Sequence, residues 1–366
     1  MKRMGLGLAA VWFWSMTAGA QQGAPVSSAQ TPSQQAGTQE VPPSLVVQSS
    51  IVFVPTTVQM KDGQVLYGLK ANQFVVEADG VPQQATLDTS EEIRPIAMAV
   101  VVQCSRAYAF EYPKMAGVAT MVEAMLGGGP SQVAVMDFGS EPELITNFTT
   151  NATRRERALN SITPCDDDPK AAIYDAVDAA NKLFERMDPK GRHVILLLSE
   201  TRDHGSKTKP QDTIRALGKT DTIVYSLAYS PMRDQMKEDL KSSDGMAGGV
   251  IGLIGAAVQA LRKNVAKEFA RESGGEYLNF GTQNKFDMNL NGLANRVDNY
   301  YLLSFHPHFA AGQGEPGAYH RITVRIPEYP SAQIHHRESY WFDVPGQSAT
   351  EGDAPAQGNE GKPETH

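Results

Sequence analysis

Ile96-Ala97-Met98-Ala99-Val100-Val101-Val102-Gln103-Cys104-Ser105-Arg106-Ala107 decides the fold of this 366-residue chain. It reads as a buried strand that runs into a short loop. Outward from it, strand-like and helix-like patterns alternate. That predicts an α/β domain over 95–298 with a parallel-rich central sheet flanked by helices. Met115, Val118, Ala119, Val122 and Met125 recur at helical spacing, and Gly127-Gly128-Gly129-Pro130 stops that helix. Gln132 to Phe138 and Glu143 to Phe148 read as strands joined by a Gly-Ser-Glu-Pro turn. Ile173, Ala176, Val177, Ala180, Leu183 and Phe184 mark a second amphipathic helix. His193 to Ser199 is a near-continuous apolar run, the pattern of a central parallel strand buried on both faces. Asp221 to Ala228 and Glu276 to Phe280 read as strands, and Val265 to Glu272 and Asn284 to Val297 as helices.

The flanks have a different period. Val46 to Leu87 alternates apolar and polar residues, broken by the hairpin signals Asp62-Gly63 and Asp79-Gly80. Tyr300 to Pro307, Tyr319 to Ile326 and Gln333 to Phe342 read as three further strands. Neither set makes a core alone. Together, 44–90 and 299–344 form one small β-sandwich with the α/β domain inserted between them, or else each adds to an edge of the central sheet.

Several local patterns resemble a von Willebrand factor A-type (VWA) domain, a doubly wound, Rossmann-like fold. Ala171-Ala172-Ile173-Tyr174-Asp175-Ala176 is similar to the family's Thr-Ala-Leu-Tyr-Asp-Ala helix start. Val194 to Asp203 is similar to its Ile-Leu-Leu-Thr-Asp-Gly-x-Asp strand end. The flanking segments, with Phe74-x-Val76-x-x-Asp79-Gly80 and Tyr300-Tyr301-Leu302-Leu303-Ser304-Phe305-x-Pro307, resemble those of secreted VWA-related proteins of acidobacteria. The resemblance implies a metal-ion-dependent adhesion site built from Asp-x-Ser-x-Ser, a Thr and an Asp. The matching positions here are Gln103, Ser105, Ala107, Ala171 and Glu200, and only Ser105 is unchanged. A hard cation needs charged or strongly dipolar oxygens, so this degenerate site is expected to hold no metal. The alternative is a rebuilt cation site in which Asp166, Asp167 and Asp168, placed by family topology near Ser105, supply the oxygens. A solvated helix-entry loop is the plainer reading of three adjacent Asp residues. The resemblance also brings Cys104 and Cys165 to the carboxyl edge of the sheet, and an even cysteine count in an exported chain favours a disulfide between them.

Export follows from the first residues. Met1 to Ala20 has a basic start (Lys2, Arg3), an apolar middle and an Ala18-Gly19-Ala20 ending, the pattern of a cleaved signal peptide. This places the mature protein in the periplasm or outside the cell, with no transmembrane span expected in it. Residues 21–43 and 345–366 are polar and Gly/Pro/Ser-rich and are expected to be a disordered linker and tail. A net charge of −8 without a basic cluster argues against nucleic-acid binding. An insert, 232–262, interrupts the α/β pattern. Its apolar Gly-rich part, 245–261, carries Val250, Ile251, Leu253 and Ile254 and reads either as a self-docking loop or as a contact patch for a protein partner or a membrane surface. No hydrolase or redox motif is present, and His193, His204, His306, His308, His320, His335 and His336 are scattered. The pairs His335-His336 and His306/His308 are candidates for a casual metal site. The reading is a non-enzymatic protein-binding or scaffold module without a cofactor. A secreted hydrolase using Ser105 is the alternative.

Overall fold

The computed structural model describes residues 51–88, 95–105, 117–126, 131–165, 167–187, 191–229, 264–280, 282–297, 299–310 and 317–342. All belong to one unit, Gln48–His366. The flanks 1–43 and 345–366, the insert 232–262 with Val250, Ile251, Leu253 and Ile254, and the positions Asp166 and Ala107 lie outside the described residues.

Ile96–Gln103 forms strand β5, and all of its residues are buried. It lies inside a six-stranded sheet of order β10-β9-β8-β5-β6-β7. Its neighbours are β8 (Arg192–Glu200) and β6 (Gln132–Phe138). With β9 (Ile223–Tyr229) and β10 (Tyr277–Phe280) these strands pair in parallel, and β7 (Pro142–Thr149) closes the edge antiparallel to β6. The two faces follow from the two-residue period of a strand. Met98, Val100 and Val102 pack with α1 (Val118–Met125) and α6 (Gln283–Val297). Ala97, Ala99 and Val101 pack with α3 (Ile173–Phe184), α4 (Pro210–Lys219) and α5 (Val265–Ser273). This is the doubly wound α/β class that the alternating patterns imply.

Two helices have no counterpart in the sequence reading. The first, α2 (Ala152–Asn160), buries only Arg155, Ala158 and Leu159, so its apolar stripe is too thin to register. It starts because Asn151 Oδ1 accepts the Arg154 N–H at 2.9 Å, an N-cap. The second, α4, begins with Pro210, where a missing N–H does no harm.

The flanking segments build one sandwich, the first of the two arrangements left open above. One sheet has the order β13-β1-β11-β4 and the other β14-β12-β2-β3. The first is made by β1 (Val52–Gln59), β4 (Thr86–Leu87), β11 (Tyr301–Phe305) and β13 (Gln333–His336). The second is made by β2 (Val75–Ala78), β3 (Val81–Gln83), β12 (Ala318–Arg325) and β14 (Ser339–Phe342). Val54, Leu303 and Phe305 from one sheet and Val76, Ile322 and Tyr340 from the other share a core. The expectation of a single strand over 333–342 is corrected: β13 and β14 belong to different sheets, and the chain breaks at Arg337-Glu338.

The break has a cause. Arg337 is buried and turns inward: Nη1 donates to Asp221 Oδ1 at 3.1 Å and to Phe53 O at 3.3 Å, and Nε donates to Ser339 O at 2.8 Å. Glu338 meets Arg271 of α5 through paired contacts of 3.0 and 2.5 Å. Ser339 Oγ and the Tyr319 hydroxyl both donate to Glu272 of α5. Three consecutive residues thus bind the sandwich to the α/β domain. Gly274, which ends α5 at φ 85°, is held there too, since a Cβ would lie 2.8 Å from Arg337 N and 2.9 Å from Pro55 O.

Burial pushes the Glu272 carboxyl up from 4.5 to about 7, against the Ser339 hydrogen bond that lowers it. A folded value above the unfolded one means that this group's contribution to stability is fully present below about 4.5 and is lost as pH rises through about 7. Glu272→Gln is expected to flatten that slope and to stabilise the protein above neutrality by up to about 3 kcal/mol, read by urea unfolding across pH.

Candidate functional site

The carboxyl edge of the central sheet gathers the ends of β5 and β8. Gln103, the last residue of β5, is fully buried, so its carboxamide needs partners. Its Nε2 donates to Ser105 Oγ at 2.7 Å and to Glu200 Oε1 at 2.9 Å. Its Oε1 accepts the Glu200 N–H at 2.8 Å. One amide group therefore ties the loop after β5 to the end of β8.

His204 completes this group, although sequence reasoning leaves it among scattered histidines. Its Nε2 lies 3.2 Å from Glu200 Oε1. Its Nδ1 accepts the Ala171 N–H at 2.8 Å. With Nδ1 accepting, Nε2 carries the proton of the neutral ring and donates to the carboxylate. Ala171 and His204 also exchange backbone hydrogen bonds of 3.1 and 3.0 Å. The only signal in the sequence is the four-residue spacing from Glu200, and a backbone bridge to a residue 33 positions away leaves no pattern.

The same loop is pinned to the start of α3. Ala172 offers no side-chain cap. Instead Asp203 Oδ1 accepts the Tyr174 N–H at 3.2 Å and the Ser206 hydroxyl at 2.5 Å. Asp175 accepts the Lys207 and Thr208 N–H groups at 2.9 and 2.8 Å. Burial pushes the Asp175 carboxyl up, but these hydrogen bonds outweigh it and hold the group below its usual value.

The residues present do not fit a hard divalent cation. Two of the oxygens at this edge, Ser105 Oγ and Glu200 Oε1, already face the hydrogens of one NH2 group. Ala171 presents a buried methyl where a hydroxyl would be needed. Of the Asp cluster, Asp168 is turned to its own loop and to Ser140. Asp168 Oδ2 accepts the Ser140 N–H at 2.5 Å, and Oδ1 accepts the Ser140 hydroxyl at 2.7 Å and the Lys170 N–H at 3.0 Å. A Cβ on Gly139 would lie 2.3 Å from Asp168 Oδ2, so the glycine admits this carboxylate. Burial raises the Asp168 carboxyl and the hydrogen bonds from Lys170 and Ser140 lower it further than that. Asp167 is exposed. Ser105 Oγ is buried beside Gln103, and the His204 ring contacts Glu200 and Ala171 instead of Ser105. His336 is taken up by Arg337 O and the Val324 N–H.

Cys104 and Cys165 are bridged, with Cα atoms 5.0 Å apart and a sequence separation of 61. Backbone hydrogen bonds hold both residues independently of the sulfurs: Cys165 N–H to Cys104 O at 2.7 Å, and Cys104 N–H to Phe138 O at 2.8 Å. Closing so long a loop stabilises by roughly 4 kcal/mol in the chain-entropy model.

Residues 87–202 match the family model described as the von Willebrand factor type A domain. The curated proteins offer no match. Among solved structures, the chain is similar to BatB from Bacteroides thetaiotaomicron, at 13% identity and a TM-score of 0.39 over 55% of this chain and 98% of that one. Proximal thread matrix protein 1 from the mussel byssus gives 12% and 0.41 over 62% and 51%. The vWF domain of the type V pili tip protein Mfa5 from Porphyromonas gingivalis gives 10% and 0.40 over 57% and 96%. Likenesses this loose say nothing of function. Residues 87–202 are therefore similar to a von Willebrand factor type A domain.

Gln103→Glu is nearly isosteric and sets a second carboxylate against Glu200. It is expected to lower unfolding free energy by about 3 kcal/mol at neutral pH and by less in mild acid, measured by urea denaturation.

Proposed function

We propose that this chain is an exported, non-enzymatic VWA-like module that binds a protein partner or acts as a scaffold, with a degenerate adhesion site that works without metal. The observation that carries this reading is the Gln103 carboxamide between Ser105 and Glu200. A cation at that edge would capture a partner's carboxylate. An internal hydrogen-bonded link instead leaves recognition to surface shape. Export rests on the Met1–Ala20 pattern. Among the described residues no helix is long and apolar enough to cross a membrane. The flanking β segments support a place among the secreted VWA-related proteins that they resemble.

Calorimetric titration of the exported chain with Mg²⁺ and with Mn²⁺ tests the first half of this reading. No binding in the micromolar range is expected. Micromolar affinity abolished by Ser105→Ala would overturn it and return Asp166, Asp167 and Asp168 to the role of ligands.

The partner contact is assigned to the apolar run 245–261, with Val250, Ile251, Leu253 and Ile254 as its anchors. A solvent-facing run of this kind invites aggregation unless something covers it. Deleting 245–261 is expected to leave the melting temperature nearly unchanged and to abolish capture of the partner from the envelope fraction. Loss of stability without loss of capture would show instead that the run packs on its own protein. Loss of vesicle binding alone would make the surface a lipid contact.

A further inference from the structure

The disulfide has a third neighbour that the adhesion-site reading does not use. The sulfurs of Cys104 and Cys165 and a carboxylate oxygen of Asp137 all lie within 4.8 Å of one another. Among the described residues this is the single group of three or more such ligand atoms close enough to hold a metal ion. Asp137 comes from β6, whose register sets it beside Val102, two residues before Cys104. Cys104 is buried, while Asp137 and Cys165 are half-buried, so the group opens toward solvent on one side.

We propose that reduction of the Cys104–Cys165 bond converts this corner into a binding site for a borderline-soft divalent cation, Zn²⁺, with Cys104, Cys165 and Asp137 as its protein ligands. The bridged form holds no thiolate and so offers the ion a single carboxylate. A dithiol reductant changes that. Its two thiols give up two electrons and two protons and become a disulfide, while the protein S–S bond breaks to two thiols. Zn²⁺ then displaces both thiol protons to solvent as the two S–Zn bonds form.

Two features favour this set. Two thiolates bound to one Zn²⁺ at about 2.3 Å sit about 3.8 Å apart, and the two Cα atoms already lie 5.0 Å from one another. The backbone is held by hydrogen bonds that reduction leaves intact: Cys165 N–H to Cys104 O, Cys104 N–H to Phe138 O, and Asp168 N–H to Cys165 O at 2.9 Å. The thiols are therefore kept together when their covalent link is gone. Two sulfurs and one oxygen select Zn²⁺ over Mg²⁺ or Ca²⁺, and three protein ligands leave a fourth position for water. The site is separate from the Gln103 network in donors and in the cation it takes.

The test uses the full exported chain, reduced with a phosphine, freed of reductant and titrated anaerobically with Co²⁺ as a coloured stand-in. The chain has 2 cysteines, so a thiolate-to-metal absorption band can come from no other residues. One equivalent of Co²⁺ is expected to raise that band in the reduced protein, to raise none in the oxidised protein, and to be displaced by Zn²⁺. Asp137→Asn is expected to weaken binding by about tenfold or more. A reduced protein without the band, or Asp137→Asn with wild-type affinity, overturns the proposal. Circular dichroism runs alongside. If reduction alone unfolds the chain, Co²⁺ must restore the fold with the same dependence on Asp137, and failure to do so also overturns it.

Discussion

The burial of β5 on both faces is the constraint on which the rest depends. Ile96 to Val102 satisfy it with apolar side chains, alternating between two helix layers. Gln103 extends the burial by one polar residue, and a buried amide without partners costs about 1–3 kcal/mol for each unmet group. The structure meets that demand locally: the NH2 joins Ser105 and Glu200, and the carbonyl takes the Glu200 N–H. Glu200 is thereby oriented toward His204, and His204 toward Ala171 at the start of α3. The geometry of the whole carboxyl edge follows from one carboxamide that cannot reach water.

A second set of polar contacts connects the sandwich with the α/β domain. Arg337, Glu338 and Ser339 reach Asp221, Arg271 and Glu272. Such pairs, once partly buried, resist separation because breaking one leaves its partner desolvated. The junction thus favours a fixed relation between the two layers over a hinged one. It also explains why a carboxylate as buried as Glu272 is tolerated, since it has hydroxyl donors on the sandwich side.

The doubly wound sheet was plain because seven apolar residues in β5 and the run in β8 admit no amphipathic alternative. The cysteine pair was legible through the resemblance and not through spacing, since 61 residues of separation carry no geometric signal. The break at Arg337 was hidden because alternation continues across it, and only the distant Asp221 and Phe53 O require the arginine to turn inward. Ser140 as the partner of Asp168 was equally hidden, since neither the solvated helix-entry loop nor the alternative cation site pointed to it. In each case the missing term was a long-range polar contact, which leaves no period in the chain.

The edge combines three kinds of restraint at one end of the sheet: a disulfide, an amide-centred hydrogen-bond group, and the caps of Asp203 and Asp175 on the loop after β8. Here the restraints come from the chain's own residues. The backbone hydrogen bonds of this edge keep Cys104 and Cys165 in register whatever the state of the bond between them.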